Sequence, residues 1–157
     1  MEEHLKEVYQ KLASFCAYQE RTQEEVRKKL ALLFVEEEEA EELIVQLIQD
    51  NFLNEERFAQ SFAGGKFRIK KWGKKKILHE LKRRNLSEYT IRSAMAQIDA
   101  SDYVKTLSKL AAKKLGEIAQ KESHPLILKK KLITYLVQKG YEPEMVWKVV
   151  DPLFKES

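Results

Sequence analysis

Displaced against itself by 51 residues and then by a further 55, the chain keeps its apolar residues in register three times. Val26, Leu30, Ala40, Leu43 and Leu47 fall on Ile77, Leu81, Ile91, Ala94 and Ile98, and these on Leu132, Leu136, Val146, Val149 and Leu153. Each set has the spacing of a helical stripe, a break and a second helical stripe. Such a repeat predicts units that bury their apolar faces mainly against neighbours, with one long surface rather than one catalytic pocket. The expected fold is all-α: an elongated, curved array of three tandem three-helix, helix-turn-helix-like repeats. Its expected divisions are a leading helix over 1–21, repeat 1 over 22–68, a basic repeat 2 over 69–122 and repeat 3 over 123–157.

Local signals punctuate the repeats. Leu5, Val8, Leu12, Phe15 and Cys16 form one apolar face of the leading helix, which makes Cys16 a core residue rather than a reactive one. Thr22-Gln23-Glu24-Glu25 reads as a capping box. The acid run Glu36–Glu39 suits a helix start, where the backbone dipole favours negative charge. Asn54 and Ser87 are N-cap residues, and Gly64-Gly65 should weaken the helix that follows Asn54. Gly73 as a cap sets Trp72 just outside and Ile77 in the fourth position of a helix, a hydrophobic staple. A later helix from about Ser101 is read with Val104, Leu107, Leu110, Ala111, Leu115 and Ile118 inward, and Ile48 is likewise read as inward. Pro125 and Pro143 suit first helical turns, Gly140 a left-handed stop, and Pro152 disturbs the end of the last helix.

Charge is divided sharply. Residues 1–60 hold 7 Lys/Arg and 15 Asp/Glu, a net −8; residues 61–157 hold 22 and 10, a net +12. Between Lys66 and Arg84 stand ten basic residues and one acid, Glu80. That density implies a polyanion or an acidic groove as partner. The first-choice contact residues are Lys70, Lys71, Lys74, Lys75, Lys76, Lys82, Arg83 and Arg84, of which Lys74, Lys75 and Lys82 lie off the Ile77/Leu81 stripe. Lys113 and Lys114, then Lys129, Lys130 and Lys131, come second. Trp147 falls off its apolar stripe, as a part-exposed contact or as packing against Tyr141 or the leading helix.

Nothing in the residues points to catalysis. His4, His79 and His124 have no partner at ligand spacing, and Gly65-Lys66 lacks the earlier glycine and the following hydroxyl of a phosphate loop. The four consecutive glutamates point in four directions and cannot close on one metal ion. No cofactor is expected. No apolar run reaches the roughly 20 residues of a membrane span, and Met1-Glu2-Glu3 opens no signal core, so the cytoplasm is the expected compartment.

Thr22–Leu30 and then Asn51-Phe52-Leu53-Asn54-Glu55-Glu56-Arg57-Phe58-Ala59 resemble the RecX family of recombinase regulators. The family shows a Ser-x-x-Glu-Leu-x-x-Lys-Leu helix followed by Gly-Leu-Leu-Asp-Asp-x-Arg-Phe-Ala. Trp72-Gly73-Lys74-Lys75-Lys76-Ile77-Leu78-His79-Glu80-Leu81 is similar to its Tyr-Gly-Pro-x-Arg-Ile-x-x-Glu-Leu, and Leu132–Tyr141 to its last repeat. The likeness runs over about residues 13–154. Phe34-Val35 stands where the family has Lys-Gly-Phe, so a different first interhelical turn is expected; Lys74 replaces a proline. The resemblance implies a small, non-enzymatic cytosolic regulator that binds the RecA recombinase filament on single-stranded DNA; a monomer is expected. It would restrain ATP hydrolysis, strand exchange and co-protease activity. Duplex DNA is a further expected partner through its phosphates. The alternative reading is a DNA-binding helical protein, without sequence preference, that acts independently of RecA; a third is an adaptor whose acidic first repeat holds a basic partner.

Overall fold

The structure, a computed structural model, describes residues 2–155. The described chain is helical throughout: α1 Glu3–Tyr18, α2 Gln23–Leu32, α3 Glu37–Gln49, α4 Glu55–Arg68, α5 Lys74–Lys82, α6 Glu88–Ala96, α7 Ala100–Ala119, α8 Pro125–Gln138 and α9 Pro143–Val150, closed by a 3-10 turn Asp151–Phe154. The caps stand where the sequence places them. The Glu25 N–H donates to Thr22 Oγ1 at 3.1 Å while the Thr22 N–H donates to Glu25 Oε1 at 3.2 Å. The Asn54 and Ser87 side chains accept from the Arg57 and Thr90 amides, and Pro125 and Pro143 each open a helix. Helix α4 runs through Gly64 and Gly65 without a break, held by buried Phe58, Ala59, Ala63 and Phe67.

The periodic residues form the interior. Every member of the first two sets is buried, as are Leu132, Leu136 and Val146 of the third. The register fails only at the end. Pro152 cannot supply the amide an α-helix needs, so the chain tightens into the 3-10 turn; Val150 turns inward, Val149 is half-buried and Leu153 is exposed. Two further inward readings are corrected. Tyr103, Leu107 and Ala111 bury the stripe of α7 and leave Val104 44% exposed, because an aromatic one residue earlier claims the inward position; Ile48 is exposed at the edge of α3.

The period is right but its phase is not. Val8, Leu12 and Cys16 of α1 pack with α2 and α3 in one core, closed by Leu53. Helix α4, assigned above to repeat 1, packs on α5 and α6, and α7 packs on α8 and α9. The three-helix units are therefore α1–α3, α4–α6 and α7–α9, not a leading helix followed by three repeats. Self-comparison measures the length of a period and carries no information on where a unit begins. The second and third units share one continuous core, and the first has its own. Between the first two lie the Arg57–Glu20 ion pair at 2.6 Å, the contact of Asn85 with Glu24, and an open cleft of about 470 Å³ flanked by Lys28 and Arg84. The accessible surface is 10436 Å², whereas a compact monomer of this mass exposes about 8200 Å², which fits an elongated chain.

Each unit's second helix ends in the same turn. Phe34, Asn85 and Gly140 occupy equivalent places and all have positive φ: 60°, 56° and 108°. The Phe34 N–H donates to the Ala31 carbonyl and the Val35 N–H to the Leu30 carbonyl, a Schellman ending. The first interhelical turn thus keeps the geometry of the others, with a phenylalanine held in a backbone region suited to glycine.

Candidate nucleic-acid interface at the joint of the second and third units

The joint is built on two glycines and two tyrosines. Gly73, the cap of α5, is buried against the end of α8; its N–H donates to the Lys139 carbonyl at 2.9 Å, and the Lys75 N–H donates to the Gly140 carbonyl at 2.9 Å. A Cβ on Gly73 would lie 2.2 Å from the Gly140 carbonyl carbon. The Lys74 N–H donates to Tyr103 Oη at 2.8 Å, Tyr103 donates in turn to the Glu142 carboxylate, and Tyr141 donates to the Lys71 carbonyl at 2.9 Å. Burial, reinforced at Tyr103 by the bond to Glu142 and at Tyr141 by the charge on neighbouring groups, pushes both phenols far above the usual tyrosine range. The third unit thus occupies the amides of Gly73, Lys74 and Lys75 at the start of α5.

The lysine side chains of this joint cluster. Lys66 and Lys76 both lie over the Trp72 ring, at 4.9 and 4.5 Å, and Lys74 lies over Tyr103 at 4.7 Å. Burial, and then the like charges of Lys76, Lys70 and Lys114, hold the Lys139 ammonium below the usual lysine range. Lys70, Lys71, Lys75 and Lys82 are exposed, while Lys74 and Lys76 are half-buried along their stems on the aromatic rings. Among the described residues none of Lys70, Lys71, Lys74, Lys75, Lys76, Lys82 or Lys139 has an acidic partner within 4 Å. Lys74, Lys75 and Lys76 also fill the first turn of α5, which has no acid. Cations there oppose the helix dipole, at about 0.3–1 kcal/mol each for exposed positions.

The other basic residues are spoken for or stand apart. Arg84 bonds to the Glu80 carboxylate at 3.1 Å and stacks 4.4 Å over Phe62, and Arg83 pairs with Glu80 at 3.3 Å; Arg84 and then Arg83 hold that carboxyl below its usual range. Lys114 pairs with Glu117, Lys131 with Glu122 and Lys129 with Asp151. Lys113 and Lys130 are exposed and unpaired among the described residues, and Trp147 is 49% exposed with Lys129 5.1 Å over its ring. Sequence reasoning missed Lys139 and Lys66. Lys66 stands inside the dense basic stretch and could have been included, whereas Lys139, in the third unit, joins the cluster only through the tertiary contact at Gly140. No group of three His, Cys, Asp or Glu side chains able to hold a metal occurs among the described residues, and no described helix is long and apolar enough to cross a membrane.

Three-helix units in tandem, with a cationic face at one joint, define an all-helical repeat protein. Two family models match this chain: the second three-helix domain of RecX over residues 54–95 and the third over 101–150. Those spans coincide with the second and third packing units. The regulatory protein RecX of Clostridium perfringens strain 13 is 35% identical over 122 residues, 78% of this chain and 57% of that protein. That of Clostridium acetobutylicum is 30% identical over 146 residues, 92% of this chain and 67% of its own. The chain thus spans a little over half the length of the two Clostridium perfringens relatives it matches. The crystal structure of RecX from Lactobacillus salivarius superposes with a TM-score of 0.82 at 21% identity, over 95% of this chain and 96% of that one. The chain belongs to the RecX family.

Proposed function

We propose that this chain is a non-enzymatic regulator that binds the RecA recombinase filament on single-stranded DNA and restrains its ATP hydrolysis, strand exchange and co-protease activity. One observation carries the reading: a cluster of lysines without acidic partners, three of them placed against a helix dipole. Cations kept in an unfavourable place are stabilised when an anion arrives, and a nucleic-acid filament offers a row of phosphates. The lysines contain no Asn, Gln or Arg set suited to reading base edges, so the contacts follow the backbone rather than the sequence. Linked units with weak individual contacts reinforce one another along a polymer.

The test is the single-stranded-DNA-dependent ATPase of RecA, titrated with wild-type chain and with a Lys74→Glu, Lys75→Glu, Lys76→Glu variant. Wild type should lower the rate and the variant should not. If all three lysines contact phosphates, the logarithmic salt dependence of binding should fall by roughly 2, at about 0.7 per phosphate of a single strand. Equal inhibition by the variant would remove the reading. DNA affinity indifferent to RecA, with no effect on its ATPase, would favour the RecA-independent alternative.

A further inference from the structure

Phe34 is unfavourable twice over. Its side chain is 93% exposed, and its backbone sits at φ 60°, where an L side chain crowds its own carbonyl. The equivalent places in the later units carry Asn85 and Gly140, types that accept this conformation readily. Leu32, on the same turn, is 74% exposed. Glu36–Glu39 follow directly, and none of them is ion-paired among the described residues. The first unit therefore ends in an apolar tip beside four unpaired acids. Backbone strain and apolar exposure at one residue mark a surface that serves something other than folding.

The third unit carries the complement. Leu126, Ile133 and Trp147 line an open groove of about 300 Å³ walled by Lys129, which Asp151 already holds, and by Lys130, exposed and unpaired among the described residues. Leu126 is 74% exposed. An apolar cavity of about 150 Å³ accepts a benzene ring, so this groove has room for Phe34 together with Leu32. Residues 1–60 carry a net −8, and residues 100–157, which hold the groove, carry 11 Lys/Arg and 7 Asp/Glu, a net +4. The tip and the groove belong to units with separate cores, so one copy can present both.

The geometry points to a head-to-tail contact between copies of this chain: the Leu32–Phe34 tip of one copy seated in the Leu126–Trp147 groove of the next, with Glu36–Glu39 facing Lys130. Two different surfaces meet, so the contact is heterologous; it leaves a free tip at one end and a free groove at the other, and adds copies in a row. It departs from the monomer expected from the sequence, is a property of the free chain and does not depend on the RecA reading. Its ionic part weakens with salt.

Sedimentation equilibrium of the full chain in about 0.05 M salt, where screening is weakest, tests it. Wild type should show a mass that climbs past the dimer with concentration. Phe34→Asp, which keeps the groove, and Leu126→Asp, which keeps the tip, should each self-associate at least about tenfold more weakly, the equivalent of one lost apolar contact. Both positions are exposed, and circular dichroism confirms that each variant is folded. Mixed in equal amounts, the two should form a one-to-one dimer and nothing larger, a result that only a two-surface contact gives. A wild-type chain that stays monomeric to about 1 mM, a Phe34→Asp chain that associates like wild type, or a mixture that fails to pair would each overturn the proposal.

Discussion

Replacing Gly73 by alanine should loosen the joint on which the candidate interface is built. The φ of Gly73 is −77°, which alanine adopts freely, so the only obstacle is space. The new Cβ would stand 2.2, 2.3 and 2.4 Å from the Gly140 carbonyl carbon, the Tyr141 nitrogen and the Gly140 oxygen. Carbon atoms in ordinary contact are about 3.5–4 Å apart, so the two backbones must separate by more than about 1 Å. None of the three atoms belongs to a side chain that could swing away. That shift breaks the two 2.9 Å backbone bonds from Gly73 and Lys75, each worth about 1 kcal/mol. Residual strain adds about 1–3 kcal/mol, for a loss of about 3–5 kcal/mol. For a chain of this length that corresponds to a fall in Tm of about 10 °C. Urea denaturation followed by circular dichroism measures the loss, and hydrogen exchange at the Lys75 amide locates it. Gly65→Ala is the control: its Cβ would meet nothing within 4 Å, and in a helix interior it should stabilise by about 0.5–1 kcal/mol. If Gly73→Ala unfolds within about 1 kcal/mol of wild type, the close approach is not what holds the units together.

Tyr103 and Tyr141 predict alkaline sensitivity. Their phenols hold their protons above the usual range in the folded chain and release them near pH 10 when unfolded. Their contribution is complete below about pH 10 and declines as pH rises from there, so the urea midpoint should fall above about pH 10, and less steeply in Tyr103→Phe. The separate cores predict uncoupled unfolding: labelling of buried Cys16, which reports the first unit, and fluorescence of Trp72 and Trp147, which reports the second and third, should give different urea midpoints, and coincident curves would refute the division. Phe34→Gly should raise stability by about 1 kcal/mol by relieving the positive φ; a chain destabilised by that change would mean the exposed ring packs in a way the geometry does not show.

The helices were legible because their signals are local. Thr22 with Glu25, Asn54, Ser87, Pro125 and Pro143 each act within one turn, and the apolar period records which faces are covered. The grouping of helices was not legible, since α4 is joined to α3 by the chain but to α5 and α6 by packing. At the site, the basic stretch was visible as composition. Its arrangement was not: Lys139 reaches Lys76 and Lys70 only because Gly73 and Gly140 allow two backbones to touch. Nor could charge counting reveal that Glu80 already holds Arg83 and Arg84. The turn at Phe34 shows the converse limit, where an unsuitable residue type misled because the surrounding helices impose the conformation.

The one-helix offset between period and packing decides where this chain can be cut. A fragment starting at Gln23 would lose the helix that seals Val26 and Leu30, and one ending at Arg68 would carry α4 with its apolar face bare. A fragment running from Asn54 to the final turn keeps six helices around their own shared interior, and it is there that expression trials on this chain should begin.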